Sequence, residues 1–173
     1  YNWKGIGASN TDALAASGYT GTANSALVEL WTGSAWAETS NVSDDGNGFA
    51  SAGSTTLGLI AGGNGRANNN VSEEWTGAGA DIGAWATGGN VNAARLALNT
   101  GGAGTQTAAL IFGGSVPPLS ALTESYNGAS WTEVADLNTA RYTPGGAGTQ
   151  TAALAFGGDS PPKNETEVWN GSG

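Results

Sequence analysis

Residues 101–114 read GGAGTQTAALIFGG and residues 145–158 read GGAGTQTAALAFGG, a match at thirteen of fourteen positions, 44 residues apart. Self-similarity at such a period marks a repeat architecture, and it governs the reading of everything around it. The pattern continues upstream in weaker form. Residues 53–63, GSTTLGLIAGG, align with it, and residues 8–18, ASNTDALAASG, align less closely. The second glycine position of each copy falls at Gly18, Gly63, Gly114 and Gly158. Nine to eleven residues later comes a glutamate followed by an aromatic at the next position but one: Glu29 and Trp31, Glu73 and Trp75, Glu124 and Tyr126, Glu167 and Trp169. A Thr-Gly or Asn-Gly pair follows, ending at Gly33, Gly77, Gly128 and Gly171, and then a second tryptophan, Trp36, Trp85 or Trp131. The fourth copy of that last element would lie past Gly173.

Each piece reads as a strand. Thr107 to Phe112 and Thr151 to Phe156 are short apolar runs bounded by glycine, as in a strand buried on both faces. Their alanines suit a crowded place near an axis. Gly101–Gly104 and Gly145–Gly148 read as an innermost strand, joined to the next by a tight Thr-Gln turn. The Glu-x-aromatic element alternates like a half-buried strand. Asn127-Gly128 and Asn170-Gly171 predict type I′ hairpins, which need positive φ at both central residues. No stretch sustains a helical period; Asn92 to Leu98 is too short and runs into glycine. One repeat is therefore a four-stranded meander that cannot bury both faces alone. Stacking copies around an axis buries them, which is a β-propeller. Trp31, Trp75, Tyr126 and Trp169 are expected at equivalent, mostly buried positions.

Composition narrows the function classes. The chain has 173 residues, the size of one domain, with 30 glycines and 11% charged residues. Fourteen acidic residues against five basic ones give a net charge of −9, which disfavours nucleic acid and anionic membrane surfaces. Cysteine, histidine and methionine are absent, which removes disulfides, thiolate nucleophiles, imidazole bases and nearly all zinc, copper or haem sites. No apolar run is long enough to span a bilayer. Because the first residue is Tyr1, the chain is expected to be processed or a segment of something longer.

The pair Gly113-Gly114 after an apolar strand, Tyr126 twelve residues on, Trp131 five beyond that and Arg141 in the link to the next unit resemble the kelch repeat, the blade also found in the galactose oxidase propeller. The GAGTQTAA-type strands and scarce Lys and Arg are also similar to repeat proteins predicted in marine phage genomes. The resemblance implies an all-β fold: a kelch-like β-propeller or propeller segment of about four blades, each of four antiparallel strands, forming a single domain over residues 1–173. Kelch propellers usually carry more blades than this. Three arrangements are open: a compact ring of four, part of a larger ring, or an assembly of copies. Asp44-Asp45 stands where the first copy is expected to carry the linking arginine.

The blade repeat is uninformative about activity, so function is sought in what varies. Glu29, Glu73, Glu124 and Glu167 recur once per blade, which reads as structure and not catalysis, and Arg95 and Arg141 are placed to pair with Glu124 and Glu167. Galactose oxidase chemistry needs histidine and a tyrosine crosslinked to cysteine, so it is excluded within these residues. The segment 43–48, SDDGNG, holds oxygen ligands without the spacing of a calcium loop; Asp44, Asp45 and Asn47 are the only metal candidates, and calcium the only cofactor entertained. The five-residue lengthening around Asp81, between Trp75 and Trp85, is a place where function could be grafted.

Strand alternation puts the tight turns at one end of the blades and the long, varied loops at the other. The candidate binding face comprises Tyr19, Asn64, Arg66, Asn68, Asn69, Ser115, Pro117, Pro118, Ser120, Asp159, Pro161, Pro162 and Lys163. Two of its loops carry Pro-Pro, which lowers the entropy lost on binding. The expectation is a non-enzymatic binding or structural module, extracellular or on a virion, such as a phage tail-fibre appendage. Its partners would be cell-surface glycans or protein subunits of a larger assembly, further copies of itself included, with no nucleic acid and no membrane insertion. The alternative is the propeller part of a larger secreted enzyme with its catalytic residues elsewhere.

Overall fold

A computed structural model describes residues 3–65, 68–77, 83–96, 98, 101–115, 118–159 and 161–173. Its described residues form fifteen strands and no helix, grouped as four antiparallel sheets in a four-blade β-propeller arrangement. Blade 1 is β1 (Lys4–Ser9), β2 (Asp12–Tyr19), β3 (Asn24–Trp31) and β4 (Trp36–Glu38). Blade 2 is β5 (Ala50–Gly53), β6 (Leu57–Ala61), β7 (Ser72–Thr76) and β8 (Ala84–Thr87). Blade 3 is β9 (Gly102–Thr105), β10 (Ala108–Phe112), β11 (Thr123–Tyr126) and β12 (Trp131–Val134). Blade 4 has three strands, β13 (Gly145–Thr149), β14 (Ala152–Phe156) and β15 (Thr166–Trp169). Strand order within each sheet follows the chain, so every blade is a meander.

The registers fix the repeat alignment. Gly58 pairs with Trp75, Ala109 with Tyr126 and Ala153 with Trp169, so the aromatics occupy one position in successive blades. The four inner strands neighbour one another in the order β1, β5, β9, β13. Three seams are packed. Between blades 1 and 2, Leu14, Ala16 and Val28 meet Ile60 and Trp75, with Phe49 and Val42 from the linker. Between blades 2 and 3, Leu59 and Ala61 meet Ala109, Ile111, Tyr126 and Trp131. Between blades 3 and 4, Leu110 and Phe112 meet Ala153, Ala155 and the partly buried Trp169. The faces of blades 4 and 1 that point away from these seams are not packed together: Leu154, Phe156 and Val168 on one, and Leu27 and Trp36 on the other, are exposed.

Three expectations need correction. β14 is not buried on both faces; its exposure alternates, because no blade covers its outward side. The equivalent aromatics also differ: Trp75 and Tyr126 are buried, Trp31 is half-buried because no blade covers its face, and Trp169, which faces blade 3, is half-buried because its sheet has no fourth strand beside it. The Asn-Gly turns of blades 3 and 4 are not type I′, since Gly128 and Gly171 have positive φ but Asn127 and Asn170 do not. That of blade 3 is a four-residue turn in which the Asn127 carboxamide oxygen accepts from the Ala129 and Ser130 amides. Thr32 and Asn170 cap the corresponding turns with their own side-chain oxygens.

The glycine pairs have a physical cause visible at Gly63. Its φ is +98°, and an added Cβ would lie 2.3 Å from the Phe49 ring. In blade 1 the first position of the pair is Ser17, a non-glycine residue at φ +54°. Its hydroxyl donates to Ser25 O and Gly46 O at 2.7 and 2.9 Å, which offsets the backbone cost.

Candidate functional site

Each blade's second strand runs into the glycine pair, Ser17-Gly18 in blade 1, and releases the chain at one position: Tyr19, Asn64, Ser115 or Asp159. In three blades the backbone there is tied to the linker entering the same blade. Asn64 exchanges amide and carbonyl bonds with Asn47, Ser115 does so with Leu96, and the Asp159 amide donates to Tyr142 O at 2.8 Å. Tyr19 instead pairs with Asn24 at the end of β2. The frame is common to blades 2, 3 and 4 while the side chain it presents is an amide, a hydroxyl or a carboxylate.

The rest of the predicted face divides by burial. Tyr19, Asn64, Asn68, Pro118, Asp159, Pro161 and Pro162 are exposed, and Asn69, Ser115 and Lys163 are half-buried. Ser120 is buried. Its hydroxyl accepts from the Leu122 amide and its carbonyl from the Arg141 amide, so it shapes its loop from inside. Arg66, Pro117 and the Asp81 insertion lie outside the described residues.

What holds this face rigid is a repeated charge lock at the seams. Arg95, from the linker after β8, reaches Glu124 at 2.7 Å, and its other terminal nitrogen donates to Leu122 O at 2.6 Å and Gly113 O at 3.3 Å. Arg141 repeats this one blade on, meeting Glu167 at 2.6 Å together with Gly157 O and Glu165 O. The same glutamates accept from the linkers' backbone: Glu124 from the amides of Asn92 and Ala93, Glu167 from those of Asn138 and Thr139. Burial alone would raise the Glu167 carboxyl, but the bonds from Asn138 and Arg141 and the charge of Arg141 hold it below the usual carboxylate range. Arg95 is fully buried, and desolvation lowers its guanidinium pKa while Glu124 opposes the shift. A buried pair of this kind, with its second terminal nitrogen satisfied by carbonyls, makes the linker geometry specific, although the Arg95 Nε has no hydrogen-bond partner among the described residues.

The first linker carries the lock without arginine. Ser43 donates to Glu73 through both its amide and its hydroxyl at 2.8 Å, standing where Asn92 and Asn138 stand in the later copies. Counting on three residues, the place of Arg95 and Arg141 is taken by Gly46, not by Asp44-Asp45 as the sequence alone suggested. The candidate calcium ligands have structural partners here: the Asn47 carboxamide donates to Asn24 Oδ1 at 2.7 Å, its backbone pairs with Asn64, and Gly46 O receives the Ser17 hydroxyl. Asp45 is exposed and Asp44 half-buried. Among the described residues no group of three or more His, Cys, Asp or Glu side chains is gathered as for a metal ion.

Three features were missed in the sequence. Lys4 is buried at the start of the inner strand β1, and desolvation lowers its amine pKa to about 7. Gln106 and Gln150, taken only as turn residues, reach back to the preceding blade: Gln106 donates to Gly58 O and Trp75 O, Gln150 to Tyr126 O and Ser125 Oγ. A cleft between the inner strands is walled by glycines such as Gly5, Gly53, Gly102 and Gly148 interleaved with mostly small side chains, Ser51 among them. The glutamines' invariance across two otherwise apolar repeats was the available signal; a lone lysine in a glycine-rich strand gave none.

No known family model matches the chain, and no curated protein matches it.

Proposed function

We propose that the chain is a non-enzymatic, kelch-type recognition module that presents its long-loop end to a neutral, polar partner. The observation that carries this reading is the frame shared by Asn64, Ser115 and Asp159, on which side-chain chemistry changes while the supporting backbone does not. Scaffolds that separate a repeated frame from varied loops place recognition in the loops. The seam glutamates are occupied by linker amides and arginines, so a frame role accounts for them. Net −9 repels phosphate and anionic lipid, and the exposed amides, hydroxyls and prolines suit a glycan or a protein surface. The setting we infer is an extracellular assembly such as a phage virion appendage.

The test uses side chains that point out of the frame, because replacing the whole 115–122 loop would remove the buried Ser120. A variant carrying Tyr19→Ala, Asn64→Ala, Asn68→Ala and Lys163→Ala is compared with the parent on a glycan panel and against isolated virion proteins. The reading expects unchanged thermal stability and at least about tenfold weaker binding, the loss of roughly 1.4 kcal/mol. Retention of full affinity by a folded variant for every partner found would overturn it.

A further inference from the structure

At the seam between blades 1 and 2, the long-loop end holds two carboxamides tied to each other. Tyr19 and Asn24 are directly opposed in the last rung of β2 and β3, which puts their side chains on one face of the sheet. The Asn47 Nδ2 donates to Asn24 Oδ1 at 2.7 Å, so that face looks onto the linker entering blade 2. Gly65, at φ +90°, lies against the same amide, where an added Cβ would collide with Asn24 Nδ2. The bond leaves Asn24 Nδ2 as a donor and Asn47 Oδ1 as an acceptor. Neither has a partner among the described residues, and neither is sealed from solvent. Asn64, opposite Asn47 in the bridge between linker and loop, is exposed, and Tyr19 is 39% exposed.

We propose that this cluster is a subsite for a neutral pyranose, whose C–H face lies on the Tyr19 ring while two vicinal hydroxyls bridge Asn24 Nδ2 and Asn47 Oδ1. A hydroxyl both donates and accepts, so a vicinal pair matches a fixed donor beside a fixed acceptor. The two amides hold each other in place before a ligand arrives, which lowers the ordering cost of binding. A phenol ring offers an apolar face with a polar tip, as a sugar ring offers an apolar face with a hydroxylated rim. The carboxamides are uncharged, and the exposed Asp45 in the same linker, with the net −9 of the chain, disfavours acidic sugars. The inference rests on the recognition reading above and commits it to one sugar unit at a seam internal to the chain.

Amide NMR of the isotope-labelled chain tests this. Methyl α-mannopyranoside, methyl β-galactopyranoside, methyl β-glucopyranoside and N-acetylneuraminic acid are titrated separately to about 100 mM, enough to saturate a millimolar site. At least one neutral glycoside should shift the side-chain amide signals of Asn24 and Asn47, and the acidic sugar should bind more weakly. Tyr19→Ala and Asn24→Ala should each weaken that binding at least about tenfold with the backbone spectrum otherwise unchanged. Tyr19→Phe, which keeps the ring, should stay within about threefold of the parent. No shift at Asn24 and Asn47, tighter binding of the acidic sugar, or full affinity in a folded Tyr19→Ala would each overturn the proposal. If the glycosides are silent while an isolated virion protein shifts Asn68 and Lys163, the sugar subsite fails and the recognition reading stands. Silence of the whole loop end toward both kinds of partner would overturn that reading as well.

Discussion

Lys4 is the residue whose chemistry departs furthest from its composition-level role as one of five positive charges. Burial lowers its amine from 10.5 to about 7, so in neutral and mildly basic solution the folded chain binds fewer protons at this site than the unfolded chain does. Stability must then rise with pH across the window between the two values, because the penalty for burying the ammonium is removed as the proton leaves. Melting temperature measured from pH 6.5 to 9.5 should climb in the parent, and the climb should flatten in Lys4→Met. An equal slope in both would show that another group titrates. Gln106 makes the second residue-scale case. Its buried carboxamide supplies Gly58 O and Trp75 O across a seam, so Gln106→Ala should cost about 1–3 kcal/mol by urea unfolding, although it sits in a turn.

At the scale of the element, equivalent positions do equivalent work only where a neighbouring blade covers them. Trp75 is buried, packs on Trp85 at 5.4 Å between ring centroids and donates its indole N–H to Thr55 O. Trp75→Ala should cost roughly 3–5 kcal/mol. Trp31→Ala, at the same repeat position on an uncovered face, should cost less than half as much in dilute protein. Equal losses would mean that burial does not set the difference. The strands, their pairing and the arginine–glutamate partners were legible because glycine pairs and alternation recur in the sequence. The half-burial of Trp31 and Trp169 was not, since it depends for Trp31 on which blades have neighbours and for Trp169 on the absence of a fourth strand from its sheet. The replacement of arginine by Gly46, with Ser43 taking over the bonds to Glu73, was also hidden: a hydroxyl and an amide left no charge signature to align on. The candidate face was legible as loops, but Ser120 shows that a polar loop residue can be an inward brace.

For the whole molecule, one sequence repeat is one blade, and the arginine of each later linker pairs with the glutamate of the blade that linker enters. The loop frame and the repeated charge pairs follow from that unit. Replacing Arg95 by a methionine leaves the Glu124 carboxylate, 1% exposed, without its counter-charge, and this should destabilise by about 3–5 kcal/mol. Most of that loss should vanish when Glu124 is replaced by Gln in the same chain. The decisive measurement is therefore a set of double-mutant cycles in urea, pairing Arg95→Met with Glu124→Gln, Arg141→Met with Glu167→Gln, and Arg95→Met with Glu167→Gln. The account predicts coupling above about 1 kcal/mol in the first two cycles and additivity within about 0.5 kcal/mol in the third. Additivity in the first two, or coupling of the same size in the third, would contradict it.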